Sequence, residues 1–447
     1  MDRRDALVET FMEAVTARND GQDEFLQAVE EVAEDVLTVE KANSGFAEAR
    51  VLERLTEPDR MIQFRVVWED DEGRTRINRG WRVQMSNAIG PYKGGLRFHP
   101  SVTPSVLKFL AFEQCFKNAL TGLPLGGAKG GSDFDPSDCS EAEIMRFSQA
   151  FMAELAPHIG PDLDVPAGDI NVGQREIGWL FGAYKRQKGV FHGALTGKGP
   201  AFGGSVMRTE ATGYGLVYFV DCMMAAQDRA LEGARVAISG KGNVSTHAAD
   251  KVIDRGGIVV TLSDTSGTLH APDGFSRDAV AWVRERKAAG EDIAEPPRDY
   301  GLTWHDGALP WGFEADVALP CATQNEMDED AAKMVVDSGV TLLAEGANMP
   351  LTAKAIAVLD KAGIVQAPGK AANAGGVAVS GLEMSQNAHG RFLDADQVDK
   401  ALHGIMADIH ATVTSEAGTG ETPDYRRGAN VAGYRHLARA ISSFGIV

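Results

Sequence analysis

The chain is poor in the features that mark most specialised protein classes. Only four of its 447 residues are cysteine, at positions 115, 139, 222 and 321, and no two form a C-x-x-C pair. This spacing argues against a disulfide-stapled scaffold and against the usual zinc frameworks, leaving reduced thiols that pack as small hydrophobes. No apolar run reaches the roughly 18 residues a membrane helix needs, so no membrane partner is expected. The stretch from Met1 to Glu9 has acids where a signal peptide is basic, and a cytoplasmic location is the expectation. Positive charge is also scarce. Lysine and arginine number 44 against 63 aspartates and glutamates, a net charge of −19, which repels a phosphate backbone and argues against nucleic acid.

What is present fits a large α/β protein. The length exceeds one ordinary hydrophobic core, so two domains are expected. Residues 4 to 42 are acidic and helix-patterned, with Leu7, Phe11, Ala14 and Val15 at helical spacing, which suits a packing or assembly face. From Met61 to Trp68 and from Thr75 to Met85 the pattern turns to strands around Asp70-Asp71-Glu72-Gly73, a hairpin signal. Thr103 and Pro104 open a helix that Gly122 ends, with Gln114 and Lys117 three apart on one face. Glycine density rises from Gly199 to Gly204, and beyond it short apolar strands alternate with helices. Arg235–Ser239, Gly257–Leu262, Ala315–Leu319 and Thr341–Ala344 read as buried strands, with helices such as Ser245–Arg255 and Glu329–Asp337 between them. That alternation predicts a parallel, doubly wound sheet of Rossmann type.

The strand from Arg235 runs into Gly240-Lys241-Gly242-Asn243-Val244-Ser245 and a helix, and Asp264 follows Gly240 by 24 residues at the end of the next strand. This is a dinucleotide fingerprint in its proper setting. The first glycine permits the tight turn, the second admits a pyrophosphate, and the helix N-terminus offers amides and positive dipole. Ser245 takes the third position, usually Gly or Ala. Other signatures fail: Gly122 to Gly127 resembles a phosphate loop but has Ala128 in the lysine slot, and Ser105 to Lys108 matches S-x-x-K without a K-T-G partner. His403 and His410 suggest no third ligand, so no metal is expected.

Three lysines stand out in the first half: Lys93 in Gly90-Pro-Tyr-Lys-Gly-Gly and Lys129 in Gly126-Gly-Ala-Lys-Gly-Gly, both among glycines, and Lys117 in Phe112-Glu-Gln-Cys-Phe-Lys-Asn. Glycine removes bulk beside a cation, and a small anionic substrate needs such closeness. With Asp169 in Val165-Pro-Ala-Gly-Asp-Ile, Glu210-Ala-Thr212-Gly, Leu319-Pro-Cys-Ala-Thr-Gln-Asn325, Ala344-Glu-Gly-Ala-Asn348 and Asn373-Ala-Gly-Gly-Val377-Ala-Val-Ser380, the set resembles the hexameric glutamate dehydrogenases of the Glu/Leu/Phe/Val dehydrogenase superfamily, bacterial NADP-specific type. The likeness covers nearly the whole chain.

The resemblance implies an N-terminal α/β substrate and assembly domain over 1–203, joined by a C-terminal return of 424–447, and a Rossmann-type dinucleotide domain over 204–423. It implies a homohexamer that interconverts 2-oxoglutarate, ammonium and L-glutamate with NADP. In that reading Lys93 and Ser380 hold the distal carboxylate, Gln114 and Lys117 the α-carboxylate, and the Gly168 backbone the amino group. Lys129 is the catalytic lysine and Asp169 the proton shuttle. Thr212, Gly240, Gly242, Asn243, Val244, Ser263, Asp264, Ala322, Thr323 and Asn348 contact the coenzyme. Asp264 alone would favour NAD, whereas Lys241 could offset a phosphate. Asn171 departs from the family, where glycine is common. A branched-chain or aromatic amino-acid dehydrogenase would carry apolar residues at 93 and 380, and a non-catalytic nucleotide sensor would have no reason to keep Lys129 with Asp169.

Overall fold

A computed structural model describes residues 3–418, 420 and 422–446. The acidic tetrad forms its hairpin, joining β1 (Arg60–Glu69) to β2 (Thr75–Ser86) in antiparallel register from Glu69↔Thr75 outward, with Gly73 at φ +76° in the turn. Asp70 organises that turn. Its carboxylate accepts from the amides of Glu72 and Arg74 and from the Nε atoms of Arg74 and Arg76.

Three glycine-bearing strands complete this sheet: β3 (Tyr92–Phe98), β4 (Gly127–Ser132) and β5 (Asp164–Gly168), in the order β1-β2-β4-β3-β5, with β3 parallel to both β4 and β5. The glycines have a structural reason that the sequence did not suggest. A Cβ on Gly94 would lie 1.6 Å from the Ala128 carbonyl oxygen, one on Gly127 2.2 Å from Cys115 Sγ, and one on Gly131 2.2 Å from the Arg97 carbonyl oxygen. Their missing side chains let backbones and a helix close on one another. Across these strands Arg82 and Asp164 form a fully buried two-pronged ion pair, and Arg82 also donates to the Gly94 carbonyl, tying β2, β3 and β5 together.

Leu96 and Phe98 of β3 pack with Phe134, Phe147 and Phe151 in a core of edge-to-face and stacked rings, each pair adding roughly 0.5–1.5 kcal/mol beyond its buried area. The helix Glu141–Leu155 that supplies two of those rings starts at a reciprocal cap between Ser140 and Glu143. The N-terminal pattern resolves into two helices, Arg3–Arg18 and Asp23–Ala42, parted by Gly21 at φ +71°. The second buries Phe25, Ala28, Val29, Val32 and Val36 at helical spacing. It is bonded by the helix Tyr425–Phe444 through Asn430 to Asp35 and Tyr434 to Glu40.

The second sheet has seven strands: β6 (Arg235–Ile238), β7 (Ile258–Ser263), β8 (Gly267–His270), β9 (Thr303–Asp306), β10 (Val317–Leu319), β11 (Leu342–Ala344) and β12 (Val365–Ala367). Their order is β12-β11-β10-β6-β7-β8-β9, parallel from β12 to β7 and antiparallel from β7 to β9. The parallel, doubly wound core was expected. The outer strands β9 and β12, and β8 inside β9, were not, because they are three or four residues long and lack an extended apolar pattern. Strand order reverses between β6 and β10, and in such sheets ligands bind beyond the carboxyl ends at that switch point.

By compactness the chain forms two units. One holds residues 1–206, 379–398 and 430–447, and the other 207–378 and 399–429. Residues 379–398 carry Ser380 into the first unit.

Candidate active site

Strand alternation builds the charged centre of the first unit. Lys93, Gly95 and Arg97 share one face of β3 by the two-residue period. The register that pairs Leu96 with both Gly130 and Gly168 brings Lys129 of β4 and the end of β5 alongside. At the end of β5, Asp169 lies over the neighbouring strand, which Gly95 permits: a Cβ there would be 2.9 Å from Asp169 Cβ. Asp169 then accepts from Lys129 Nζ at 2.9 Å on one oxygen and from Arg97 Nε at 2.6 Å on the other. All three side chains are buried or nearly so, with exposures of 5% for Lys129, 10% for Arg97 and 15% for Asp169.

Burial shapes the charges. Desolvation lowers the Lys129 pKa below its ordinary value, with Arg97 and Arg82 acting in the same direction and Asp169 opposing. For Asp169, burial acts to raise the pKa, but Lys129 and Arg97 overcome it and hold the carboxyl well below the usual carboxylate range. The result is an anion clamped between a fixed guanidinium and an ammonium of weakened basicity.

Lys93 is buried and donates from Nζ to Thr196 Oγ1 at 2.8 Å. The next residues continue the connection: Gly197 N donates to Glu383 at 3.0 Å, and Lys198 forms a fully buried ion pair with Glu383 at 2.6 Å. Glu383 lies three residues beyond the buried Ser380 on the helix Gly375–His389, so both project from the same helical face. Lys93 and Ser380 are thereby tied to a common framework. In the helix Pro104–Leu120, capped by Thr103, every residue from Leu107 onward is buried except Glu113, Gln114 and Lys117. Gln114 and Lys117 are thus the accessible strip of an otherwise sealed helix. Asn118 beside them donates to the Lys93 carbonyl at 3.1 Å. Gly168 closes on Val172, where a Cβ would meet the carbonyl oxygen at 2.2 Å. The family departure at Asn171 has a physical account: its φ is +59°, a left-handed conformation asparagine tolerates, and its side chain donates to the Phe98 carbonyl at 3.0 Å.

Sequence reasoning missed Arg97, Thr196 and the Lys198–Glu383 pair. Arg97 was legible in principle, since Lys93-x-Gly95-x-Arg97 alternates with Leu96 and Phe98. Thr196 and Glu383 are joined only by the fold.

In the second unit the glycine loop follows β6 as expected. Gly240 has φ +86°, and Gly242 is the N-cap of the helix Asn243–Asp254. Ser245 Oγ accepts from Gly242 N at 3.0 Å, so the serine in the third position closes the loop by a hydrogen bond in place of close glycine packing. Ser263 accepts from Gly240 N at 3.0 Å. A Cβ on Gly240 would lie 3.2 Å from Ala322 Cα, which sets the loop after β6 beside the loop after β10, at the switch point. Gly213, next to Thr212, packs against the Val244 carbonyl, where a Cβ would come to 2.7 Å. Asn348 accepts from Asn373 at 3.2 Å. Gly242, Asn243, Ala322, Thr323 and Asn348 remain accessible, while Gly240 and Ser263 are buried. The Ala322 and Thr323 amides are already engaged by Glu326 at 2.9 and 3.3 Å. An accessible helix N-terminus at the switch point fits a dinucleotide pyrophosphate. His410 bonds Tyr425 at 2.9 Å and the His403 ring packs on Tyr218, so both histidines have structural partners.

Comparison with known proteins agrees with this geometry. Residues 58–186 match the model of the Glu/Leu/Phe/Val dehydrogenase dimerisation domain, and residues 203–445 that of Glutamate/Leucine/Phenylalanine/Valine dehydrogenase. The chain is 52% identical to the NADP-specific glutamate dehydrogenase of Psychrobacter sp., covering 98% of each chain, and 51% identical to that of Escherichia coli, covering 98% of this chain and 99% of the relative. The crystal structure of Plasmodium falciparum glutamate dehydrogenase superposes with a TM-score of 0.95 at 44% identity, over 99% of this chain and 96% of that one. The chain therefore belongs to the glutamate/leucine/phenylalanine/valine dehydrogenase family.

Proposed function

We propose that this protein is an NADP-dependent glutamate dehydrogenase that reversibly aminates 2-oxoglutarate with ammonia to give L-glutamate. The observation that carries the reading is the buried Lys129–Asp169–Arg97 cluster, with a second buried lysine, Lys93, on the same face of the sheet. Buried lysines on that face suit a small anionic substrate, because charge-assisted hydrogen bonds to carboxylates gain strength where water is excluded.

In this mechanism Lys93 and Ser380 receive the distal carboxylate, and Gln114 and Lys117 the α-carboxylate. Lys129 turns from Asp169 to the substrate carbonyl, polarising it toward attack by ammonia and later assisting the departure of water. As that ammonium leaves, Asp169 loses one of its two cations. Its basicity rises, which fits it to move protons at the amino nitrogen while Arg97 holds its position. The Gly168 carbonyl accepts from that nitrogen. When bound, the reduced nicotinamide supplies the hydride, and the Gly240–Val244 loop, Thr212, Ser263, Asp264, Ala322, Thr323 and Asn348 orient it. The substrate groups belong to an N-terminal domain and the coenzyme groups to a Rossmann-type domain. A homohexamer in the cytoplasm is part of the same proposal, supported by the dimerisation-domain match.

The test is an initial-rate assay with 2-oxoglutarate and ammonium, comparing NADPH and NADH. NADPH oxidation is expected, with kcat lowered at least about 10³-fold in Lys129→Ala. Absence of oxidation with either coenzyme would overturn the reading.

A further inference from the structure

An acid at the end of the second strand of a dinucleotide fold accepts from the ribose 2′-hydroxyl, so Asp264 standing alone would oppose a coenzyme bearing a 2′-phosphate. Asp264 does not stand alone. Its Oδ1 accepts from Ser266 N at 2.8 Å and from Ser266 Oγ at 2.7 Å, and its Oδ2 accepts from Lys241 Nζ at 3.0 Å. Lys241 stands between the two loop glycines, and its ammonium also donates to the Glu291 carbonyl at 3.1 Å. The carboxylate of Glu291 is itself paired with Arg286 at 2.7 Å. The Lys241 and Asp264 side chains are only 17% and 9% exposed, so the contact is poorly screened by solvent. Three of the roughly four acceptor positions of the carboxylate are thus occupied. The formal charge at the end of β7 is zero, not −1.

We infer that Lys241, and not the strand-end acid, is the residue by which this chain discriminates between the two nicotinamide coenzymes, its ammonium cancelling Asp264 and presenting a cation to the 2′-phosphate. The inference rests on the reading above that the enzyme uses NADP. A flexible lysine suits the role. It can keep one donor on Asp264 and turn another outward, which a residue anchored in the strand could not do. The variable position of the glycine loop therefore sets the charge at a site whose acid by itself points the other way.

The experiment compares wild type, Lys241→Gln and Lys241→Arg by calorimetric titration with adenosine 2′,5′-bisphosphate and with adenosine 5′-monophosphate, which differ only in the 2′-phosphate. The kcat/KM ratio for NADPH over NADH is measured in parallel. Lys241→Gln should lose at least about tenfold in affinity for the bisphosphate while the monophosphate changes less than about twofold, with an equal fall in the kcat/KM ratio. Lys241→Arg should keep most of both. Equal loss on the two nucleotides, no loss on either, or an arginine variant as poor as the glutamine one would overturn the inference. A wild type that favours the monophosphate and NADH would instead sink the NADP reading before the variants are compared.

Discussion

The two glycine-rich regions of this molecule look alike in sequence and work in opposite ways. In β3 and β4 the glycines are filled from outside: a Cβ on Gly94, Gly127 or Gly131 would strike backbone or sulfur at 1.6 to 2.2 Å. There the backbone is packed solid, and the proposed chemistry falls to side chains, Lys93, Arg97 and Lys129, that lie among the glycines. In the loop after β6 the backbone itself is the proposed binding surface. Gly242 has no atom within 4 Å of where its Cβ would be, and the side chain between the glycines, Lys241, adjusts charge. The contrast predicts that side-chain truncation is severe in the first region and mild in the second, while glycine substitution threatens the fold in the first and only binding at Gly242.

The largest effect after loss of Lys129 is expected at Lys93. Lys93→Leu removes the cation proposed to meet the distal carboxylate, and kcat/KM for 2-oxoglutarate should fall about 10² to 10³-fold, the usual cost of truncating one member of a buried charged pair. The KM for ammonium should barely move. An unchanged kcat/KM for 2-oxoglutarate would remove Lys93 from the site and leave its Thr196 bond as a packing feature.

Gly94→Ala tests the other half of the contrast. With Ala128 O 1.6 Å from the new methyl, either β3 or β4 must move, at a cost of roughly 3 kcal/mol or more. Hydrogen exchange should show early opening of β3 and β4 with the β6–β7 region unaffected. A variant as stable as wild type would mean that the strands are less closely packed than the geometry says.

A smaller, graded effect concerns pH. Burial, with Arg97 and Arg82, lowers the Lys129 pKa from its ordinary 10.5, and Asp169 only partly opposes this. The proposed carbonyl polarisation needs the ammonium form. The kcat/KM for 2-oxoglutarate should therefore be retained at lower pH and lost as pH rises through a midpoint below 10.5. Lys129→Arg cannot deprotonate in this range, so whatever activity it retains should lack that alkaline limb. A limb that persists in the arginine variant would belong to another group.

These expectations also mark how much the sequence could tell. The alternation of strands and helices beyond Gly204, the hairpin at Asp70 and the loop from Gly240 were legible because each is a local pattern with a local cause. Lys129 and Asp169 were singled out through family resemblance, and the structure brings them within 2.9 Å. Arg97 is harder to read although it stands two residues from Gly95 and four from Lys93, because no glycine flanks it as one flanks Lys93 and Lys129. Thr196 and the Lys198–Glu383 pair could not have been read, since residues 185 positions apart meet only through tertiary packing. The glycines of β3 were legible as missing bulk, but not the carbonyls and the Asp169 side chain that close over them. A sequence shows that a side chain is missing, and only the fold shows what occupies its place.

The smallest effect sharpens the comparison most, because it separates binding from folding. At Gly242 the backbone has φ −85°, which any residue can adopt, and nothing stands near the Cβ position, so Gly242→Ala should cost little thermal stability, no more than alanine's weaker fitness as an N-cap. The new methyl would instead stand where the pyrophosphate approaches the helix N-terminus, raising the KM for NADPH about tenfold with kcat nearly constant. Gly240→Ala is the control: at φ +86°, and with its Cβ 2.9 Å from Ser245 Oγ, it should lose stability and binding together. If Gly242→Ala bound NADPH as well as wild type, the pyrophosphate would not pass over Gly242. If it unfolded like Gly240→Ala, the loop would be held by packing, as β3 and β4 are, and the contrast between the two regions would disappear.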